Sequence, residues 1–270
     1  METVQQDEAL QKEKLLIKRL QSLNKVLVAF SGGVDSTYLL TIAKEALGPN
    51  CKAVFARGPM VSPREEQEAL ALVQRYNLPV HIIDINVLNL KEFRENPPDR
   101  CYYCKKNLFE TFMEYNNSLD QAVIIEGTNV SDAKDYRPGR LALQELGIIS
   151  PLLEAGLSKE EIRLLSKLRN LSTWDKPSMA CLASRIPYGD PIDSKLLQRI
   201  AQAEEFLHEH GFPECRVRVH GKIARLEVPV KDLAKCIQER AEITALLLDL
   251  DFQYVTLDLM GLRSGSLNPS

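Results

Sequence analysis

The chain has 270 residues, of which 44% are hydrophobic and 26% are charged, and its formal net charge is −3. These values are ordinary for a globular protein, and no apolar run approaches the ~18–20 residues that a membrane-spanning helix needs. The acidic balance counts against a protein that grips a long nucleic acid, because such proteins usually carry a basic excess. We expect a cytoplasmic protein whose six cysteines are reduced thiols or ligands, since the acidic N-terminus lacks the apolar core of a secretory signal.

The first half of the sequence alternates short apolar runs with helical patterns. A leading helix is predicted over about the first 20 residues, which are rich in Glu, Lys, Gln and Leu. Buried strands are predicted at 26–30, 51–57, 80–85 and 122–127. Helices are predicted at 37–47, 62–76 and 104–114, and a capping box at 158–161 begins another that runs to about 168. This order predicts an α/β fold with a doubly wound parallel sheet, whose ligands bind at the carboxyl ends of the strands.

The second part of the sequence follows an irregular, proline-containing segment at 175–191. Its pattern predicts a helix, an extended segment, a helix and a strand, at 192–210, 216–228, 230–247 and 254–259. This order predicts a smaller α/β domain. We therefore divide the chain into a nucleotide-binding domain, 1–188, and a small C-terminal domain for substrate or subunit contacts, 189–270.

The segment 31–36, with the sequence SGGVDS, lies between the first predicted strand and the helix that follows it. A strand, a glycine turn and a helix start make an anion site, because backbone N–H groups converge there and the helix dipole favours negative charge. No lysine follows the glycines, so the segment is not the GxxxxGK[ST] nucleotide loop. It resembles the PP-loop of ATP pyrophosphatases, which cleave ATP to AMP and pyrophosphate. The resemblance implies that ATP binds to Ser31, Gly32, Gly33, Asp35 and Ser36, and that Asp35 helps to place Mg²⁺.

Three cysteines are candidate metal ligands. Cys101 and Cys104 form a CxxC pair, and Cys181 lies in the irregular segment. Three thiolates suit a [4Fe–4S] cluster with one open iron, whereas a structural zinc site usually needs a fourth protein ligand. The spacing alone leaves a cluster, a zinc site and three unrelated thiols open. The other cysteines are expected to be buried or incidental: Cys51, Cys215 and Cys236.

Five segments, taken together and in order, resemble the LarE family. They are SGGVDS, CYYCKK at 101–106, EGTNVSDAKDYRPG at 126–139, CLASRIPYG at 181–189 and RVRVH at 216–220. Members of this family are ATP-dependent sulfur transferases that make the precursor of the nickel-pincer cofactor of lactate racemase. One version sacrifices the sulfur of a single cysteine, and the other binds a [4Fe–4S] cluster through three cysteines. The CxxC pair matches the cluster version, so the resemblance implies that Cys101, Cys104 and Cys181 hold the cluster.

The resemblance also implies the reaction and the residues that carry it out. ATP would adenylate a carboxylate of pyridinium-3,5-biscarboxylic acid mononucleotide, and sulfide carried on the cluster would replace AMP to leave a thiocarboxylate. The implied catalytic residues are Cys181, Asp35, Arg185 and Glu204. Gly127, Thr128 and Asn129 are implied to join the PP-loop in binding ATP. The implied substrate-binding residues are Ser184, Arg185, Arg216 and Arg218. The roles of Asp132, Asp135, Arg137 and His220 stay open.

The expected partners are a small nucleotide substrate and a sulfide source, with no membrane and no nucleic acid, and we expect a homo-oligomer. Two alternative functions stay open. One is a PP-loop enzyme that thiolates transfer RNA, and RNA binding with a steep salt dependence would favour it. The other is a zinc-stabilised nucleotide-binding protein without catalysis, which would form no AMP.

Overall fold

The structure, a computed structural model, describes residues 2–118, 121–134, 138–177 and 180–263. The chain forms two compact units, each assembled from separated stretches of sequence. The first unit contains Met1–Gly58, Glu65–Ile85 and Cys101–Met179, and the second contains Pro59–Arg64, Asn86–Arg100 and Ala180–Ser270. The division of the chain at residue 188 stays a prediction. Among the described helices, none combines the length and apolar character needed to cross a membrane.

The first unit is built round a parallel sheet of four strands in the order β3-β2-β1-β4. The strands are β1 (Val26–Phe30), β2 (Cys51–Arg57), β3 (Val80–Asp84) and β4 (Val123–Ile125). The chain steps outward from β1 to β3 and then returns to the other side of β1. This reversal confirms the predicted doubly wound sheet, and it places a topological switch point between β1 and β4, where such sheets bind their ligands.

The helices predicted in the first part of the chain are present, but two begin three or four residues earlier than predicted, and three short helices were not predicted. In chain order they are α1 (Glu2–Leu23), α2 (Val34–Leu47), α3 (Pro63–Arg75), α4 (Lys91–Arg94), α5 (Arg100–Asn117), α6 (Gly139–Glu145), α7 (Pro151–Glu154), α8 (Lys159–Leu168), α9 (Ser194–Glu209), α10 (Leu233–Gln238) and α11 (Arg240–Asp249). The capping box that begins α8 is confirmed. Ser158 N donates to Glu161 Oε2 at 2.8 Å, and Glu161 N donates to Ser158 Oγ at 3.3 Å.

Helices α1, α2 and α8 are joined by a buried polar contact in the first unit. Tyr38 on α2 donates its hydroxyl to Glu13 Oε2 at 2.7 Å, and Arg169, just after α8, contacts both oxygens of Glu13 at 2.8 and 2.9 Å. The central strand β1 packs against α2, and Val26, Leu27 and Val28 have no exposed surface. Burial of this strand fixes the start of the loop that follows it.

The second unit contains a three-stranded sheet in the order β5-β6-β7. The strands are β5 (Arg216–His220), β6 (Ile223–Glu227) and β7 (Tyr254–Leu257). The extended segment predicted over 216–228 is an antiparallel hairpin that turns at Gly221, and β7 joins it in parallel. The single helix predicted over 230–247 is wrong: the chain forms a 3₁₀ turn followed by α10 and α11. The helical spacing of apolar residues does not show where the backbone of a helix is interrupted.

Candidate active site

The SGGVDS loop lies at the carboxyl end of β1, and its two serines shape it. Ser31 N donates to Ser36 Oγ at 3.1 Å, and the two hydroxyl oxygens share a hydrogen bond of 3.1 Å. The Ser36 hydroxyl also lies 3.2 Å from the carbonyl oxygen of Gly33. These bonds curl the backbone round the start of α2.

Gly32 meets two requirements that only glycine satisfies without strain. Its φ is +73°, in the left-handed region, and a Cβ atom at this position would lie 2.7 Å from the Cβ atom of Ala69 on α3. The loop therefore packs directly on α3, at a distance that no side chain at Gly32 permits.

Helix α2 begins as an anion site would require. Its N-cap residue is Gly33, and no side chain within the described ranges caps this end. The first N–H groups of a helix lack partners within the helix, and the dipole adds positive potential there. The N-terminus of α2 is therefore suited to a phosphate group.

Asp35 in the first turn of α2 is held by two side chains from later in the sequence. Its Oδ1 accepts from Asn129 Nδ2 at 3.2 Å, and its Oδ2 forms an ion pair with Lys159 Nζ. Burial raises the pKa of the Asp35 carboxyl above its ordinary value, and the Lys159 ammonium opposes that rise. Lys159 therefore favours the ionised form of this carboxyl.

The loop after β4 contributes the second half of the same site. Glu126 is buried and accepts hydrogen bonds from Thr128 N at 3.0 Å, Thr128 Oγ1 at 2.8 Å and Ser150 Oγ at 2.5 Å. Asn129 is fully buried, and its Oδ1 accepts from Ser131 N at 2.9 Å. A Cβ atom at Gly127 would lie 3.2 Å from Ser36 N, so this loop meets the PP-loop closely.

Two lysines at the PP-loop were missed by sequence reasoning. Lys159 contacts Asp35, and Lys176 Nζ donates to the carbonyl oxygen of Gly32 at 3.2 Å while it pairs with Glu68 at 3.0 Å. The absence of a lysine after the glycines was the available signal, because a phosphate site needs positive charge from somewhere. Its source could not be identified from spacing, since both lysines lie more than 120 residues further along the chain.

The candidate cluster ligands belong to different units. Cys101 and Cys104 lie near the start of α5 in the first unit, where an i, i+3 spacing puts them on one helix face. Cys181 is exposed, and it belongs to the second unit. Among the residues that the structure describes, no group of three or more His, Cys, Asp or Glu side chains could hold a metal ion. The three-cysteine site stays a prediction.

The remaining cysteines are buried, as expected. Burial raises the pKa of the Cys51 thiol to about 12, and it also raises the pKa values of Cys215 and Cys236. These three thiols stay protonated at neutral pH, which suits packing and not nucleophilic chemistry.

The arginines and acids predicted near Cys181 form a buried cluster in the second unit. Arg185 pairs with Glu204 through two hydrogen bonds, of 2.8 and 2.7 Å. Arg218 pairs with Glu227 at 3.1 Å, and Glu227 is fully buried. Arg216 lies two residues before Arg218 on β5, and its Nη1 donates to the carbonyl oxygen of Cys215 at 2.6 Å. The predicted catalytic and substrate-binding roles of this cluster stay predictions.

The structure describes two of the four residues whose roles were left open, Asp132 and His220. Asp132 Oδ2 accepts from Asn129 N at 3.3 Å, so it caps the turn after β4. Burial lowers the pKa of His220, the last residue of β5, and its Nε2 is a buried atom with no hydrogen-bond partner in the described part of the chain. Asp135 and Arg137 lie outside the described residues.

Comparison with known proteins identifies a matching family and several relatives of this chain. Residues 9–116 match the NAD synthase family. A pyridinium-3,5-bisthiocarboxylic acid mononucleotide synthase of Lactiplantibacillus plantarum is 34% identical over 258 residues, which cover 95% of this chain and 94% of the relative. An uncharacterised protein of Synechocystis sp. is 39% identical over 248 residues, 91% of this chain and 92% of the relative. An NH₃-dependent NAD⁺ synthetase of Wolinella succinogenes is 38% identical over 79 residues, 29% and 30% of the two chains.

The contact between the PP-loop and α3 predicts a specific effect of Gly32→Ala. The new methyl group meets Ala69 and the backbone keeps a positive φ, so we expect a loss of about 1–3 kcal/mol in the free energy of unfolding. Pyrophosphate affinity should fall as well. Urea denaturation and titration calorimetry with pyrophosphate measure the two effects.

Gly48→Ala is the matched control, because Gly48 also has a positive φ but nothing lies within 4 Å of its added Cβ atom. The second substitution Ala69→Gly should recover part of the lost affinity. Equal effects of Gly32→Ala and Gly48→Ala on pyrophosphate binding would contradict the packing explanation.

Proposed function

The chain belongs to the LarE family of PP-loop enzymes, and from this premise we propose that it is an ATP-dependent sulfur transferase. Its substrate is pyridinium-3,5-biscarboxylic acid mononucleotide, and its product carries a thiocarboxylate, a step in making a nickel-pincer cofactor. The observation that carries the proposal is the juxtaposition of Asp35, Asn129 and the start of α2 at the switch point of the first sheet.

The first half-reaction uses this site for ATP. A substrate carboxylate oxygen attacks the α-phosphorus, the bond to the bridging oxygen breaks, and pyrophosphate leaves. The N–H groups at the start of α2 and in the loop would hold the departing pyrophosphate. Asp35 would bind Mg²⁺, and Thr128 and Asn129 would contact ATP from the loop after β4. Lys159 and Lys176 are near enough to the loop to balance phosphate charge.

The second half-reaction replaces AMP by sulfur. Adenylation turns an unreactive carboxylate into a mixed anhydride with a good leaving group. Sulfide attacks the carbonyl carbon, the bond to the AMP oxygen breaks, and AMP departs to leave the thiocarboxylate. The chain's task is to hold the nucleotide and to exclude water, which would otherwise hydrolyse the anhydride.

We propose Cys101, Cys104 and Cys181 as ligands of a [4Fe–4S] cluster. The donor set fits, because three thiolates leave one iron open and two of them share a helix face. When bound, the cluster would supply sulfide that stays deprotonated at neutral pH. The exposure of Cys101 and Cys181 also suits ligands that must reach an inorganic group.

The phosphate of the substrate is proposed to bind to the arginine cluster of the second unit. Arg185, Arg216 and Arg218 bring three guanidinium groups into this cluster, in which Glu204 pairs with Arg185 and Glu227 pairs with Arg218. Burial lowers the pKa of the Arg216 guanidinium, and the like charge of Arg185 acts in the same direction. An anion beside Arg216 would relieve this repulsion. Ser184 supplies a hydroxyl close to the same cluster, 3.1 Å from Arg185 Nη1.

The decisive experiment incubates anaerobically purified protein with Mg-ATP, sulfide and the dicarboxylate nucleotide. We expect AMP and the thiocarboxylate nucleotide in equal amounts, measured by mass spectrometry. Asp35→Asn keeps the shape of the side chain and should lower AMP formation about 10²–10³-fold, because the metal-binding charge is lost.

A parallel incubation with transfer RNA in place of the dicarboxylate nucleotide, together with metal analysis, tests the two alternatives. Thiolation of transfer RNA, with a steep salt dependence of RNA binding, would replace the small nucleotide as substrate. Bound zinc without AMP formation would leave a nucleotide-binding protein with no catalytic role. The cytoplasmic location and the homo-oligomeric state stay predictions.

Removal of the Lys159 charge should change the pH dependence of AMP formation. In Lys159→Met, nothing at this position opposes the effect of burial, so the pKa of Asp35 rises further. Mg²⁺ binds the ionised carboxyl, so activity should fall at a higher pH than in the wild type as the solution is acidified. Rates of pyrophosphate release across pH measure the shift.

Lys44→Met is the control for that experiment. Lys44 lies in the last turn of α2 and contacts the carbonyl oxygens of Tyr76 and Asn77, so its loss should leave the acid limb in place. An unshifted acid limb in Lys159→Met would mean that Lys159 does not tune Asp35.

The cluster proposal predicts a selective effect of Cys181→Ala. Loss of one of three ligands should reduce iron and acid-labile sulfide per chain by at least half, whereas pyrophosphate binding should persist. Cys236→Ala removes a buried thiol from α10 of the same unit and should leave the iron content unchanged. Full iron content in Cys181→Ala would remove this residue from the ligand set.

A further inference from the structure

One arginine, Arg185, holds the segment that carries Cys181 through hydrogen bonds to its backbone and to one of its side chains. Arg185 Nη1 donates to the carbonyl oxygen of Ala180 at 2.6 Å, to that of Cys181 at 3.2 Å and to Ser184 Oγ at 3.1 Å. Three acceptors spread over five residues thus converge on one nitrogen. The guanidinium draws the residues on both sides of the Cys181 side chain into a compact turn.

Glu204 fixes the orientation of that guanidinium from the opposite side. Arg185 Nε donates to Glu204 Oε1 at 2.8 Å and Nη2 donates to Oε2 at 2.7 Å, which is the two-point geometry that a planar fork favours. Glu204 Oε1 also accepts from Val217 N at 2.9 Å. The carboxylate therefore ties the arginine to α9, which carries Glu204, and to the backbone of β5.

Burial separates this pair from an ordinary surface contact. The side chains of Arg185 and Glu204 are 2% and 7% exposed. A buried ion pair is costly to desolvate, and apolar side chains of similar volume would often stabilise a core as well or better. A use beyond stability is therefore a reasonable explanation for keeping it here.

A second arginine contacts the same turn. Arg218 Nη1 donates to the carbonyl oxygen of Ser184 at 2.6 Å, and Arg218 itself forms an ion pair with Glu227. The backbone of the turn adds its own bonds, from Leu182 N to Met60 O at 3.0 Å and from Ser184 N to Cys181 O at 2.8 Å. The carbonyl groups at both ends of the turn are thus bonded to buried, charged side chains.

We propose that Arg185, oriented by Glu204, is a positioning residue that sets the direction of the Cys181 thiol. This inference rests on the proposed function, in which Cys181 binds the cluster. Arg185 contacts the turn that presents the ligand, so this positioning role is separate from the part that the proposed function gives it in binding the substrate phosphate. Lysine could not replace it, because one ammonium cannot reach Glu204 and the three acceptors of the turn together.

The test compares Arg185→Lys with Arg169→Lys. Arg169 forms a matched two-point pair with Glu13 in the first unit, so its replacement controls for the loss of an arginine–carboxylate fork. Hydrogen–deuterium exchange reports the amides of 180–186, and elemental analysis reports iron per chain after anaerobic assembly.

We expect exchange in 180–186 to accelerate at least tenfold in Arg185→Lys, and iron per chain to fall by at least half. Arg169→Lys should change neither the exchange rate in 180–186 nor the iron content per chain. Exchange within twofold of the wild type would overturn the proposal. It would mean that the turn stays ordered when Arg185 is replaced, as expected if this arginine did no more than bind phosphate.

A double variant keeps the test decisive if Arg185→Lys does not fold. Arg185→Met combined with Glu204→Met removes both buried charges together and so avoids an unpaired one. It too should loosen 180–186, because no donor replaces the guanidinium at the carbonyl groups of Ala180 and Cys181. Wild-type protein that binds no iron would defeat the cluster proposal, whereas the exchange measurement would still decide whether Arg185 orders the turn.

Discussion

The parallel pairing of β1 with β4 decides what the first unit can bind. Val26 lies opposite Val123, and Val28 lies opposite Ile125, so the two strands end at the same edge of the sheet. One loop then supplies a helix N-terminus and the other supplies Asn129, whose amide reaches Asp35 at 3.2 Å. A slip of one residue would move Asn129 by about 3.3 Å and break that bond. The register of two buried strands therefore sets the geometry of the candidate ATP site.

The charge balance of that site depends on tertiary structure. A carboxylate in the first turn of α2 is favoured by the helix dipole, but burial acts against its ionised form. Lys159 restores the balance from the start of α8. Lys176 reaches the carbonyl oxygen of Gly32 from a segment that Arg163 anchors, through bonds of 2.7 Å to the carbonyl oxygens of Trp174 and Lys176. A loop with no lysine of its own thus gains two cations from helix α8 and the segment after it.

Local patterns in the sequence were enough for much of the fold. The bounds of β2 and the capping box of α8 are as predicted, because a continuous apolar run and a Ser-x-x-Glu spacing act over a few residues. The PP-loop could also be placed, since its glycines follow a strand directly. Contacts between distant residues could not be derived this way. The ion pair of Asp35 and Lys159 joins positions 124 residues apart, and the second unit takes in two short stretches that precede its main part.

Burial is the other property that spacing did not reveal, and it separates the two arginines of β5. Both lie on one face of the strand, yet Arg218 is matched by Glu227, which also accepts from Arg225 at 3.0 Å. Arg216 lies beside Arg185, whose like charge helps to lower its pKa. A phosphate that approached Arg218 would compete with a fully buried carboxylate, whereas one that approached Arg216 would relieve repulsion. On the proposed function, Arg216 is therefore the residue of this pair that would meet a substrate phosphate, and Arg218 holds the turn that contains Ser184.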